Sequence, residues 1–352
     1  MAEVEPGLQI QPGFTIVYDN GFPRKFHNFH MCKNTRGKTF LTDLKHIFKV
    51  IQTTSGPKAF LSEETTIGNN DEYTVTKKIG NGSFGTVFQV KDRENKFWVV
   101  KMQRMTSGLV EELYIKKAKE VSNVVELKES YVYNEQHLMI MKEYSGCFNQ
   151  IGERTSCEWI FILKSLLTTL AELHEKRIIH CDIKPDNIFM DGDVPVLGDF
   201  GLADIEGNKG GLIVSWYYRH FEICQNLMNF EDIPSACRSK AFIRKSSADI
   251  WALGTTMFYA ITRKKLFIDC GEYSKKFFFH DEKQLYDAIR MEMECPGGIT
   301  TLILNEIKAT NILGPNYYKY LLISTITGMI DPLSTKTARQ LLNEMVEIEA
   351  EF

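Results

Sequence analysis

The sequence contains no CxxC pair, no apolar run long enough to cross a bilayer and almost no net charge. Each absence removes a class of protein. Its eight cysteines, at positions 32, 147, 157, 181, 224, 237, 270 and 295, fall at neither zinc-site nor disulfide-framework spacings. Scattered cysteines of this kind point to reduced thiols and an intracellular location, with cytoplasm and nucleus equally open. The longest mostly apolar run, Ile250 to Ile261, falls short of the roughly 20 residues a membrane helix needs. It predicts a buried helix, and no membrane span is expected. Lysine plus arginine number 42 against 45 for aspartate plus glutamate, a net charge of −3. A nucleic-acid partner is therefore not expected, and any polyanion would have to meet a local patch. The first residues, MAEVEPGLQIQPG, carry acids and prolines where a secretory leader needs a basic start and an apolar stretch, so no leader is expected. Internal repeats and low-complexity tracts are also missing.

What is present is the composition of a globular chain: 352 residues, 43% hydrophobic and 25% charged. That length is about twice the soft prior of roughly 150 residues per domain. Residues 1 to 70 read as an N-terminal extension of unknown role, with a helical-looking patch from Leu41 to Ile51 and polar linkers at 53–57 and 65–72. From Tyr73 to Glu143 short runs of β-branched and aromatic residues predict strands: YTVTKKIG, TVFQV, FWVVKM, VVELKESYVY and HLMIMKEY. One helical pattern, near Leu109 to Lys119, interrupts them. From Cys157 onward helical spacing dominates, most clearly in WIFILKSLLTTLAELHEKR, ADIWALGTTMFYAI, EKQLYDAIRMEM and TKTARQLLNEMVEI. The fold class expected is α+β, a sheet-rich unit over 71–144 followed by a larger, mainly helical unit over 145–352.

Four motifs carry chemistry. Ile79-Gly80-Asn81-Gly82-Ser83-Phe84-Gly85-Thr86-Val87 is a GxGxxGxV loop. A dinucleotide fold would follow its third glycine with a helix, whereas TVFQV continues as a strand, which favours a glycine-rich hairpin closing over phosphates. The next strand ends in Lys101, a compact charge suited to a polyphosphate. In the helix that follows, Glu111 has Ile115 and Ala118 at i+4 and i+7, which puts its carboxylate on the buried face and makes it the expected partner of Lys101, with Glu112 in reserve. His180-Cys181-Asp182-Ile183-Lys184-Pro185-Asp186-Asn187 packs two carboxylates, a lysine and an asparagine into one loop. Asp182 can take a proton from an acceptor hydroxyl and Asn187 can offer an oxygen to a metal ion. Leu197-Gly198-Asp199-Phe200-Gly201 then supplies a second carboxylate after an apolar strand, suited to a divalent cation.

Taken in this order, the motifs resemble those of a eukaryotic-type protein kinase, and the resemblance runs from about residue 73 to about residue 345. Ser215-Trp216-Tyr217-Tyr218-Arg219-His220-Phe221-Glu222 resembles the end of an activation segment, and Ser246 to Gly254 the start of the central helix of the large lobe. The resemblance implies a bilobal kinase fold with a five-stranded antiparallel sheet plus one helix in the small lobe. It also implies an ATP- and Mg²⁺-dependent transferase acting on protein serine or threonine hydroxyls. Asp182 would orient and deprotonate the acceptor, Lys184 would stabilise the γ-phosphate, and Lys101 with Glu111 would position the α- and β-phosphates. Asn187 and Asp199 would hold Mg²⁺. Residues Ile79 to Val87 would cover the nucleotide, while Met141 as gatekeeper and Lys142, Glu143 and Tyr144 as hinge would meet the adenine. Asp249 would brace the catalytic loop, His180 would be structural, and Ser215 would bridge Asp182 and Lys184. The Lys184 of DIKPDN is the serine/threonine subgroup's feature.

Several residues depart from that pattern. Cys181 replaces the arginine that usually grips an activation-segment phosphate, so activity without phosphorylation of the segment is expected. His220-Phe221 replaces Ala-Pro, and Thr335 stands where an arginine usually meets the equivalent of Glu222, with Arg339 as a substitute. An insert is expected around 225–241. It is followed by Arg244 and Lys245 and contains Arg238 and Lys240, a group that could favour acidic substrates. The basic stretch from Arg24 to Lys49 could dock a partner. Two other functions compete: a pseudokinase scaffold that binds nucleotide or partner without turnover, and a small-molecule phosphotransferase. Substrate, regulator, oligomeric state and cellular or viral origin are not legible.

Overall fold

In the computed structural model, the described residues comprise short strands between 9 and 42, and residues 61, 64–68, 72–81, 85–133, 136–210, 215–228, 242–270, 282–295 and 297–350. The chain divides into two compact units, Met1–Lys119 with Glu126–Glu143 and Glu120–Val125 with Tyr144–Phe352.

The first unit is built on an antiparallel sheet. Its strands are β1 (Thr66–Ile67), β2 (Tyr73–Asn81), β3 (Gly85–Asp92), β4 (Phe97–Arg104), β5 (Leu127–Tyr133) and β6 (Gln136–Lys142), in the order β5-β6-β4-β3-β2-β1. Five strands are those the sequence predicts, and the two-residue β1 adds an edge before them. Period-2 alternation sorts the side chains into two faces. Tyr73 and Val75, Phe88 and Val90, Trp98, Val100 and Met102, and Leu138 and Ile140 share one buried face, to which Leu61 and Ile67 add. Lys101, Gln103 and Met139 alternate with these and are themselves buried, under helix α1 (Met105–Lys117), which packs on β4, β5 and β6. Upstream, strands Phe29–Asn34 and Thr39–Thr42 pair antiparallel, so Leu41 and Thr42 are extended and not helical as their pattern suggests. Residues 43–51, the rest of that patch, lie outside the described residues.

The second unit is mainly helical. Helix α2 (Ser156–Glu175) starts at a capping box in which the Glu158 N–H donates to Thr155 Oγ1 and the Thr155 N–H to Glu158 Oε2. Its buried stripe runs Trp159, Ile160, Leu163, Leu166, Leu167, Leu170 and Leu173. Helix α3 (Phe221–Met228) precedes α4 (Ser246–Thr262), which is buried on nearly every side, as expected of a central helix. Helices Glu282–Glu294, Gly298–Ala309, Asn316–Ile330 and Ala338–Ala350 complete the unit. Short strand pairs carry the segments between α2 and α4. β7 (Ile178–Ile179) pairs with β10 (Asp204–Ile205), β8 (Ile188–Asp191) with β9 (Val194–Leu197), and β11 (Lys209–Gly210) with β12 (Phe242–Ile243). Among the described residues no helix is long and apolar enough to cross a membrane.

Candidate active site

In the first unit, register brings the phosphate-binding candidates side by side. Val87 of β3 and Met139 of β6 are the cross-strand neighbours of Lys101. Strand β4 runs into α1 without a loop, Arg104 capping the helix, so ten residues suffice to bring Glu111 back over Lys101. Lys101 Nζ donates to both Glu111 oxygens at 2.8 Å. Gln103, two residues along the same face of β4, donates from Nε2 to Glu111 Oε2 at 2.7 Å. Glu111 is only 1% exposed, so these donors take the place of water around a buried carboxylate.

Glu112 is also buried and makes a separate latch. Its Oε2 lies 2.7 Å from His137 Nε2 on β6, and Lys116 Nζ binds its other oxygen. Burial alone would raise the Glu112 carboxyl, but hydrogen bonds from His137, Lys116 and Ser130 outweigh it and hold the group down at about 2. Sequence reasoning assigned these residues no such role.

In the second unit, the catalytic loop hangs on a single carboxylate. Asp249 of α4 accepts the backbone N–H of His180 on Oδ2 (2.8 Å) and that of Cys181 on Oδ1 (2.9 Å), and His174 Nε2 lies 3.1 Å from Oδ2. Held so, Cys181 adopts φ 67°, left-handed backbone that a side-chain-bearing residue rarely adopts. Asp182 follows and is buried. Its Oδ2 accepts Lys184 Nζ at 2.6 Å and Asn187 Nδ2 at 3.0 Å, and its Oδ1 accepts the N–H and Oγ–H of Ser215 at 3.2 and 3.1 Å. Lys184 Nζ also donates to Ser215 Oγ at 3.2 Å. The structure thus gathers Asp182, Lys184, Asn187 and Ser215 around one carboxylate.

Asp199 stands at φ 60°, ψ 67°, capping a short turn over Phe200–Leu202. Gly198 before it sits where a Cβ would come within 2.6 Å of Val125 Cγ1 and 2.7 Å of the Phe189 ring. Only glycine fits there. His180 Nε2 meets the Gly198 carbonyl at 2.9 Å, and its ring meets Phe200 edge-on at 4.8 Å, a packing role. The donor set suits a hard cation: Asp199 offers a carboxylate, and Asn187 spends both amide hydrogens on the Asp182 carbonyl and carboxylate. The Asn187 Oδ1 is the amide atom that could then bind such a cation.

The other predicted positions are spread along the two units. Ile79, Gly80, Gly85, Thr86 and Val87 lie on β2 and β3, and Asn81 ends β2, while Gly82, Ser83 and Phe84 fall outside the described residues. Met141 and Lys142 end β6, the Lys142 N–H donating to the Glu126 carbonyl, and Glu143 accepts from Gln89 Nε2 at 2.6 Å. Tyr144 opens the second unit and stacks on Phe189 at 5.8 Å.

Some expectations change. Arg339 does not serve Glu222: it binds Glu175 at 2.8 Å, while Lys245 holds Glu222 at 2.5 Å, reaching it from just before α4. Of the basic group near the insert, Arg244 is buried beside Asp204, while Lys245 stays exposed and pairs with Glu222. Arg238, Lys240 and residues 229–241 of the insert lie outside the described residues, as do the side chains of the basic N-terminal stretch. Gln103, His137 and His174 were missed as site supports. Only Gln103 left a sequence signal, its period-2 place beside Lys101.

A sequence profile described as the protein kinase domain matches residues 73–351. The chain belongs to the protein kinase domain family. Among curated relatives, this kinase chain is 30% identical over 214 residues to serine/threonine-protein kinase D of Synechocystis sp., covering 55% of this chain and 41% of that protein. It is also 30% identical over 224 residues to serine/threonine-protein kinase Nek1 of Mus musculus, covering 56% and 17%. The matches thus span less than half of those relatives. A crystal structure of a kinase domain superposes with a TM-score of 0.57 at 17% identity, over 80% of this chain and 97% of the other. That likeness shows the bilobal α+β kinase fold.

Proposed function

We propose that this kinase domain is catalytically active and transfers the γ-phosphoryl group of ATP to serine or threonine hydroxyls of a protein. The observation that carries the reading is the convergence of Lys184, Asn187 and Ser215 on the Asp182 carboxylate. A carboxylate fixed by three neighbours is placed to orient an acceptor hydroxyl and to receive its proton as the oxygen–phosphorus bond forms and ADP leaves. Lys184, already against Asp182, is placed to balance charge on the transferring group. Lys101 is a buried cation with a fixed orientation and would bind the α- and β-phosphates. Residues 79–87 and 141–144 would contact the rest of the nucleotide. Mg²⁺, held by Asn187 and Asp199, would neutralise phosphate charge when bound. Oriented groups of this kind lower the barrier chiefly by positioning and electrostatics.

The test is transfer from labelled ATP to generic protein substrates by the wild-type chain, Asp182→Asn and Lys101→Met. Transfer that both substitutions reduce at least a hundredfold, with label recovered on phosphoserine or phosphothreonine, supports the reading. Nucleotide binding with wild-type transfer no higher than the variants' would instead fit a scaffold, and label on a small molecule alone would fit the phosphotransferase alternative.

A further inference from the structure

Asp182 depends on Ser215 for two of its hydrogen bonds, and Ser215 lies beyond a stretch of chain that must itself be held. That stretch, 203–210, is pinned on both sides. On one, β10 pairs with β7, setting Asp204 opposite Ile179, and the Glu206 N–H donates to the Arg177 carbonyl at 2.9 Å. On the other, β11 pairs with β12, and the main chain of Arg244 exchanges two hydrogen bonds with it. The Arg244 N–H donates to the Asn208 carbonyl, and the Gly207 N–H to the Arg244 carbonyl, each at 2.9 Å.

The Arg244 side chain turns inward from this second side. The residue is 8% exposed, and its Nε lies 3.6 Å from Asp204 Oδ2. Asp204 Oδ1 meanwhile accepts the Ile205 N–H and Asn208 Nδ2, so one carboxylate joins the local turn to the guanidinium. The guanidinium covers Gly210: a Cβ there would lie 2.3 Å from Nη2 and 2.9 Å from Cζ. Its charge also reaches the catalytic loop. Burial, then Asp249, pushes the Cys181 thiol up, and Arg244 is the cation that opposes them. A guanidinium is costly to bury unless paired, and its planar fork suits a site with a carboxylate on one edge and backbone on its face.

We propose that Arg244 is a positioning residue of the phosphoryl transfer. Paired with Asp204 and seated on Gly210, it anchors the 203–210 stretch to the catalytic loop, so that Ser215 meets Asp182 with no phosphate on the segment. The role of Arg244 rests on the kinase reading above, whereas the anchoring itself does not.

The test compares the wild-type chain, Arg244→Met, Arg244→Lys and Gly210→Ala, none of which alters a residue assigned above to nucleotide, metal or proton transfer. Hydrogen exchange is read on peptides covering 203–217, with α2 and α4 as internal controls. Exchange at least tenfold faster in 203–217 for Arg244→Met and Gly210→Ala, with α2 and α4 unchanged, is expected. In the transfer assay both variants should lose at least tenfold in kcat with KM for ATP within twofold, Arg244→Lys should recover part of it, and phosphatase treatment should leave wild type unchanged. Variants that lower Tm while keeping wild-type kcat, or that accelerate exchange uniformly, would overturn the proposal. So would a wild type that loses turnover on phosphatase treatment. If wild type transfers no phosphate at all, the functional reading fails, and the exchange data alone decide whether Arg244 is the anchor.

Discussion

Replacing Asp249 by asparagine probes how the catalytic loop is held. The aspartate is 1% exposed, and both its oxygens accept: Oδ1 from the Cys181 N–H, Oδ2 from the His180 N–H and His174. Asparagine keeps one oxygen and turns an NH₂ toward a backbone N–H that has nowhere else to donate. Leaving a buried donor unsatisfied costs about 1–3 kcal/mol, and hydrogen bonds to a charged acceptor contribute about 1.5–3 kcal/mol each. With partial relaxation, a loss of about 2–4 kcal/mol follows. At about 2–4 °C per kcal/mol for a unit of this size, Tm falls by roughly 5–15 °C. The same bonds hold Cys181 in a left-handed conformation worth on the order of 1–3 kcal/mol of strain. Release of that strain moves Asp182, so phosphoryl transfer at 20 °C should fall even where the variant is fully folded. Urea unfolding gives the stability change, and initial rates on the folded variant give the catalytic one. A stability change below about 0.5 kcal/mol together with wild-type kcat would refute the idea that Asp249 carries the loop.

Three further outcomes follow from the same geometry. Glu111→Gln keeps an acceptor for Gln103 but removes the counter-charge of Lys101, and should lower kcat/KM by about ten- to a hundredfold, chiefly through nucleotide use, as titrated in an ATP-dependence series. Gly198→Ala drives a methyl group into Val125 and Phe189 and should destabilise by about 1–3 kcal/mol, read as a lower urea midpoint at unchanged slope. The third concerns pH. Burial pushes His220 down to about 4, and its Nδ1 accepts the Glu222 N–H at 3.0 Å. The unfolded chain therefore takes up the proton first as pH falls. The contribution is complete above about pH 6.5, declines through the acid range and is gone below about pH 4, at most about 3 kcal/mol. His220→Asn should flatten that limb of the stability profile, and an unchanged limb would contradict it.

The parts of the site legible in the sequence are those whose order along the chain is their geometry. Asp182, Lys184 and Asn187 share one loop, and Ile115 and Ala118, both buried, place Glu111 on the inner face of α1. What escaped depends on segments distant in sequence. Glu112 is as buried as Glu111, because His137 crosses from β6 to meet it, and no spacing along α1 shows that. Arg244 reads as a surface cation next to Lys245, yet the pairing of β11 with β12 turns it inward. Helices Gly298–Ala309 and Asn316–Ile330 are rich in isoleucine and threonine, which weaken a helical reading locally. Burial of Ile303, Ile307, Leu322 and Ile326 along one side overrides that preference.

The central claim is that Asp182 serves an acceptor hydroxyl of a protein. Its most direct measurement is the rate of phosphate transfer from labelled ATP to serine- and threonine-containing protein by wild type against Asp182→Asn, with nucleotide binding followed in parallel. The variant should bind nucleotide within a fewfold of wild type while losing at least a hundredfold in transfer. Equal transfer by the two proteins, or no transfer by either at saturating nucleotide, would contradict it.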